Sequence, residues 1–179
     1  MVYMILGTGF EEIEAVTPLD LLRRADIDVK TAGIGSCEIR GSHGICIHTD
    51  LEVSDADWNR AEMVILPGGP GVASIRSCHA VLNGIRSVYE SGGYVAAICA
   101  APTILAELGI TDGLRATCFP TCSGQMGSAE VDAESACVTS GHIITGASAG
   151  CAVPFGLALI SALKGQEAAE TVKQRIVIR

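Results

Sequence analysis

Aromatic residues are nearly missing from this chain. Phenylalanine, tryptophan and tyrosine make up 4% of its 179 residues, although 49% are hydrophobic. A core without rings has to be aliphatic, built from Ile, Val, Leu and Ala. With 21 glycines for close packing, that composition suits parallel strands covered by helices on both faces. Basic residues are also few, 12 Lys and Arg against 20 Asp and Glu. The resulting net charge of -8 excludes nucleic acid or an anionic membrane as the main partner. No apolar run has the length of a membrane span. A basic leader is absent too: Met1–Leu6 is short, runs on into Glu11 and Glu12, and reads as a first strand and not a signal peptide.

Paired cysteines are lacking. The eight cysteines, at positions 37, 46, 78, 99, 118, 122, 137 and 151, form no CxxC pair and no zinc-like double pair. Cys118 and Cys122 stand closest, and two ligands do not make a metal site. Disulfide frameworks belong to smaller secreted chains with a leader, so most of these thiols are expected to be reduced core residues of a cytoplasmic protein. Repeats, linkers and low-complexity tracts are absent. Gly7-Thr-Gly-Phe10 lacks the further spacing of a dinucleotide fingerprint or phosphate loop, so no nucleotide cofactor is expected.

What is present is an alternation. Strand patterns fall at Val2–Leu6, Ile27–Ala32, Met63–Leu66, Tyr94–Ile98, Arg115–Cys118 and His142–Thr145. Helical patterns fall at Pro18–Ala25, Ala80–Tyr89, Thr103–Leu108, Val153–Leu163 and Glu167–Lys173. This is the signature of βαβ units and a mostly parallel sheet, one α/β domain over residues 1–179 by length. Cys37–Asp50 breaks the alternation, with Ile45–His48 readable as an extended pair at a sheet edge. Ser140-Gly141 signals a hairpin. Residues 120–130 are expected to form a loop over the site.

In an open parallel sheet, ligands bind beyond the carboxyl ends of the strands, and three of those ends carry chemistry. The buried run Val95–Ile98 stops at Cys99, followed by Ala100, Ala101, Pro102 and a helical pattern. A nucleophile on a sharp strand-to-helix turn is the elbow arrangement of hydrolases. The helix start behind the sulfur favours thiolate, so Cys99 is expected to titrate below a free cysteine. Cysteine often serves as a small buried hydrophobe, and the elbow is what sets Cys99 apart. After Leu66, Pro67-Gly68-Gly69 offers backbone N–H groups that can face a developing negative charge. After Leu6 come Glu11, Glu12 and Glu14. Residues two apart do not share a helical face, so Glu14 is expected to point elsewhere than Glu12. Beside a thiolate its pKa rises, and it can hold or move a proton.

Gly9–Glu14 with Thr17-Pro18, Leu66–Gly69, Ala96–Pro102, Ile144–Gly150 with Phe155–Leu159, and Lys173–Ile178 form an ordered set spanning the chain. Together they resemble the ThiJ/PfpI superfamily, in its DJ branch. The resemblance implies a flavodoxin-like, class I glutamine amidotransferase-like fold and a homodimer with the site near the interface. It makes Cys99 the nucleophile, Glu14 its protonated partner, and the amides of Gly69 and Ala100, with Gly68, the anion pocket. It also implies that neither a cofactor nor a metal is needed, and that a small reactive carbonyl such as methylglyoxal is the substrate. The alternative is an oxidative-stress sensor or redox-regulated chaperone in which Cys99 becomes a sulfinic acid. Both need the same surroundings for the sulfur. The histidine that peptidase-like members carry after the cysteine is Ala100 here, which argues against proteolysis. A histidine common before a proline is Phe119, a common arginine in the late block is Ala147, and another near the interface is His43. His43 and Phe119 are therefore accessory candidates. The first helix, Pro18–Ala25, and Ile45–Ile47 are the expected dimer surfaces.

Overall fold

The computed structural model describes residues 1–178, so the last residue of the expected domain lies outside the described residues. Strand β1 (Val2–Leu6) is buried along its whole length. Its side chains alternate between two cores, Val2, Met4 and Leu6 entering one and Tyr3 and Ile5 the other. That is the pattern of a central strand covered on both faces. Along the chain follow α1 (Glu12–Arg24), β2 (Val29–Gly33), β3 (Glu38–Arg40), β4 (Cys46–His48), β5 (Leu51–Glu52), β6 (Met63–Leu66), α2 (Val72–Ser77), α3 (His79–Glu90) and β7 (Tyr94–Ile98). Then come α4 (Pro102–Glu107), β8 (Arg115–Ala116), β9 (Glu130–Val131), β10 (Cys137–Ser140), β11 (Ile143–Gly146), α5 (Ala152–Lys164) and α6 (Gln166–Arg175).

The main sheet has seven strands in the order β10-β11-β7-β6-β1-β2-β5. All neighbours are parallel except β10 and β11, the hairpin expected at Ser140-Gly141. Helices α1, α5 and α6 pack into the core on one face, and α2, α3 and α4 into the core on the other. This is a flavodoxin-like, doubly wound domain. From β1 the chain moves outward to β2 on one side and later returns to β6 on the other. The carboxyl ends of β1 and β6 thus flank the switch point where such sheets bind ligands.

Three expectations change. The first helix does not start at Pro18; it begins six residues earlier, because Glu11 caps it by accepting the Glu14 N–H at 2.9 Å. Pro18 lies inside the helix and costs one backbone hydrogen bond there. Gly156 of α5 lets that face come close, since a Cβ on it would stand 3.2 Å from the Pro18 Cα. The strand expected at Arg115–Cys118 covers Arg115–Ala116 only and pairs with β9, apart from the main sheet. Ile45–His48 contributes to a separate two-stranded hairpin, β3 with β4, and not to the main sheet edge. Helix α2 follows the Pro-Gly-Gly turn without a sequence pattern long enough to announce it.

Candidate active site

Three strand ends meet at Cys99. The cysteine has φ +65, a left-handed conformation that L-residues other than Asn and Asp seldom adopt. Its backbone is held on both sides. The Cys99 N–H donates to the Gly146 carbonyl at 2.9 Å, and its own carbonyl accepts the Phe119 N–H at 2.7 Å. The sulfur is half-buried, with the amides of Ala100 and Gly69 near enough to pull its pKa down.

Glu14 comes from the first turn of α1 and is fully buried. Its Oε2 accepts the Gly68 N–H at 2.8 Å, while Oε1 has no hydrogen-bond partner of ordinary geometry. The polar group beside it is the Cys99 thiol. Gly68 makes this approach possible: a Cβ on it would stand 2.7 Å from Glu14 Oε2 and 2.8 Å from the Cys99 Cβ. Gly68 therefore serves as space and as a donor to Glu14, and its N–H is not turned to the sulfur. Gly69 has φ +81, and a Cβ there would stand 2.8 Å from both the Glu11 nitrogen and the Gly9 carbonyl oxygen. Hydrogen bonds from Glu11 N to Gly68 O at 3.0 Å and from Gly71 N to Gly9 O at 2.8 Å stitch the β1 and β6 ends together.

The electrostatics differ from the sequence expectation. Burial pushes the Cys99 thiol up to about 12, and the charge of Glu14 and its hydrogen bond push the same way, against the pull of the Ala100 and Gly69 amides. Helix α4 offsets little of this, being six residues long and starting three residues beyond the sulfur. Burial also raises the Glu14 carboxyl, opposed by its contacts with Cys99 and Gly68. As neighbouring acids whose shifts depend on each other, Cys99 and Glu14 titrate as a pair.

Glu12 and Glu14 do point apart. Burial resists ionisation of Glu12, but hydrogen bonds from His43, its backbone and Ser42 outweigh it and hold the carboxyl at about 2. The His43 N–H donates at 2.7 Å, the ring Nδ1 lies at 3.0 Å, and the Ser42 hydroxyl donates at 3.1 Å. His43 is exposed, and its pKa is raised by hydrogen bonding to Glu12. Among the described residues, Glu11, Glu12 and His43 are the one group of three His, Cys, Asp or Glu donors whose ligand atoms lie within 4.8 Å of one another. Those contacts already occupy the Glu12 carboxylate, which anchors the β3–β4 hairpin to α1. Phe119 is 39% exposed and serves Cys99 through its backbone.

Two supports were not visible in the residue pattern. Gly146 supplies the carbonyl that fixes the Cys99 amide. Thr145 Oγ1 accepts the Thr117 N–H at 2.8 Å, which steers the chain toward Phe119. The hairpin signal that placed the β11 strand was the available clue to both.

Fold and site together define a class: a doubly wound α/β domain with a cysteine elbow facing a buried glutamate. Within it, a profile of the DJ-1/PfpI family matches residues 1–162, and the chain belongs to that family. Protein dj-1beta of Drosophila melanogaster is 32% identical over 179 residues, covering 98% of this chain and 95% of the relative. The glutathione-independent glyoxalase DJR-1.2 of Caenorhabditis elegans is 32% identical over 160 residues, covering 88% and 84%. The crystal structure of Drosophila melanogaster DJ-1beta superposes with a TM-score of 0.95 at 31% identity, over 99% of this chain and 97% of that one.

Proposed function

We propose that this chain is a cofactor-free, cysteine-dependent enzyme of the glyoxalase or deglycase type, acting on small 2-oxoaldehydes such as methylglyoxal. The observation that carries the reading is a buried glutamate with an unpartnered oxygen beside a strained, half-buried cysteine. The name of the nematode relative supports the reaction class.

In the reactive form the shared proton sits on Glu14, and the thiolate is held by the Ala100 and Gly69 amides. The sulfur adds to the aldehyde carbon, and the alkoxide takes the Glu14 proton to give a hemithioacetal, leaving Glu14 as the carboxylate. Glu14, as carboxylate, removes the hydrogen on that carbon and returns it to the neighbouring carbon, converting the hemithioacetal to a thioester of the 2-hydroxy acid. Water then cleaves the thioester, releasing the acid and restoring the thiol. Each turnover consumes one aldehyde and one water, with no external oxidant or reductant. Lactate formation from methylglyoxal tests this: the native chain should turn over, and Cys99→Ser and Glu14→Gln should not. Turnover by either variant overturns the assignment of that residue.

The same reading makes the chain a cytoplasmic homodimer. No helix among the described residues is long and apolar enough to cross a membrane, and all eight cysteines are free thiols. On α1 the apolar side chains of Pro18–Ala25 are largely spent on the core. Ile13 and Val16 are exposed, and Ile45 beside β4 is 57% exposed. These three side chains support a two-fold contact one turn earlier on the helix than the sequence suggests.

A further inference from the structure

Away from Cys99, sulfur gathers in one place. The excursion between α4 and β10 has its own small core, in which buried Cys118 and Met126 pack with Ala116 while Cys122 packs against them. The other apolar neighbours are Ala106, Ala129 and Val131. Cys118, Cys122 and Met126 recur every fourth residue across the tight turn Pro120–Gln125. Two backbone hydrogen bonds shape that turn, Cys122 N to Phe119 O at 2.8 Å and Met126 N to Ser123 O at 3.4 Å. Cysteine spacing alone conceals the group, because its third member is a methionine.

Two thiols and a thioether in an apolar pocket make a soft donor set. Thiolate and thioether ligands favour copper(I), whereas structural zinc takes four nitrogen or sulfur ligands and calcium and magnesium take oxygens. We propose that Cys118, Cys122 and Met126 form a three-sulfur site for copper(I), separate from the Cys99–Glu14 pair. Binding forms two copper–thiolate bonds, releases the two thiol protons, and adds the Met126 thioether as a neutral third donor. The copper enters and stays as copper(I), so no electron moves. The site adjoins Phe119, the residue whose amide holds the Cys99 carbonyl.

The test is anaerobic titration of the reduced protein with copper(I) against a chromophoric copper(I) chelator, in the native chain and in Cys99→Ser. Both should withhold one copper(I) per chain from the chelator and develop a thiolate-to-copper absorption band. Cys122→Ala should weaken retention by about 100-fold, at least the cost of losing an outer partner of a metal ligand. Met126→Leu should weaken it by about tenfold. Neither change disturbs folding greatly, since Cys122 is half-buried and Met-to-Leu conserves volume. The proposal fails if Cys122→Ala and Met126→Leu retain copper as tightly as the native chain, which would put the metal on other cysteines. It also fails if zinc(II) is held as tightly as copper(I).

Discussion

Glu14→Gln keeps the length of the side chain and removes its charge. Because that charge helps push the Cys99 thiol up to about 12, the substitution should lower the thiol pKa. Iodoacetamide labelling of Cys99 at neutral pH should then be faster in Glu14→Gln by about tenfold per pKa unit, while lactate formation is lost. Labelling slower than native would mean that Glu14 assists the thiolate chiefly as a donor. Gly68→Ala tests spacing without touching charge. Its methyl would stand 2.7 Å from Glu14 Oε2 and 2.8 Å from the Cys99 Cβ, forcing the pair apart. A displacement of this kind costs about 100-fold in rate, with the circular dichroism spectrum unchanged. Cys99 was legible as a functional residue because a β-branched run ended on it before small residues and Pro102. The role of Gly68 was not, since a residue that matters by what it lacks leaves no chemical trace in a sequence. The raised thiol pKa was also out of reach, because it depends on burial and on a charge 85 positions away in the chain.

At the level of elements, the contact of α1 with α5 depends on Gly156. A Cβ there would stand 2.7 Å from Leu21 Cδ1 and 3.2 Å from the Pro18 Cα, so Gly156→Ala should cost about 1–3 kcal/mol by overpacking, measured by urea unfolding. The anchor between α1 and the β3–β4 hairpin has a pH signature. The Glu12 carboxyl sits at about 2 in the folded chain against an ordinary 4.5. Its hydrogen bonds therefore contribute fully above the ordinary value, and that contribution is lost as pH falls through the window toward about 2. Glu12→Gln should be less stable than native near neutrality, and the gap should close as the pH falls. A gap independent of pH would remove the charge from the account. The strands β1, β6 and β7 were legible because both of their faces are buried and their runs are uninterrupted. The start of α1 was hidden: Pro18 reads as a first-turn residue, while the cap that begins the helix is a glutamate, a residue type seldom expected in that role.

The whole molecule should be a two-fold dimer through Ile13, Val16 and Ile45. Light scattering should give twice the chain mass at low micromolar concentration, and Val16→Asp should give a folded monomer whose melting temperature no longer rises with protein concentration. A monomeric native chain would remove this interface. The order of the sheet was only partly legible, since alternation of strands and helices does not say which neighbours pair. The backbone clamp on Cys99 carries a further consequence, in time. Its amide is held by Gly146 and its carbonyl by Phe119, both later in the chain. The β11 strand that ends at Gly146 has to lie against β7, a long-range pairing of the kind that forms slowly. A chain emerging from the ribosome therefore carries its nucleophile as an ordinary flexible thiol until synthesis has passed Gly146. The Cys99–Glu14 pair is assembled only once β11 lies against β7, so an incomplete or partly unfolded copy carries a thiol without the clamp and the glutamate that the proposed turnover needs.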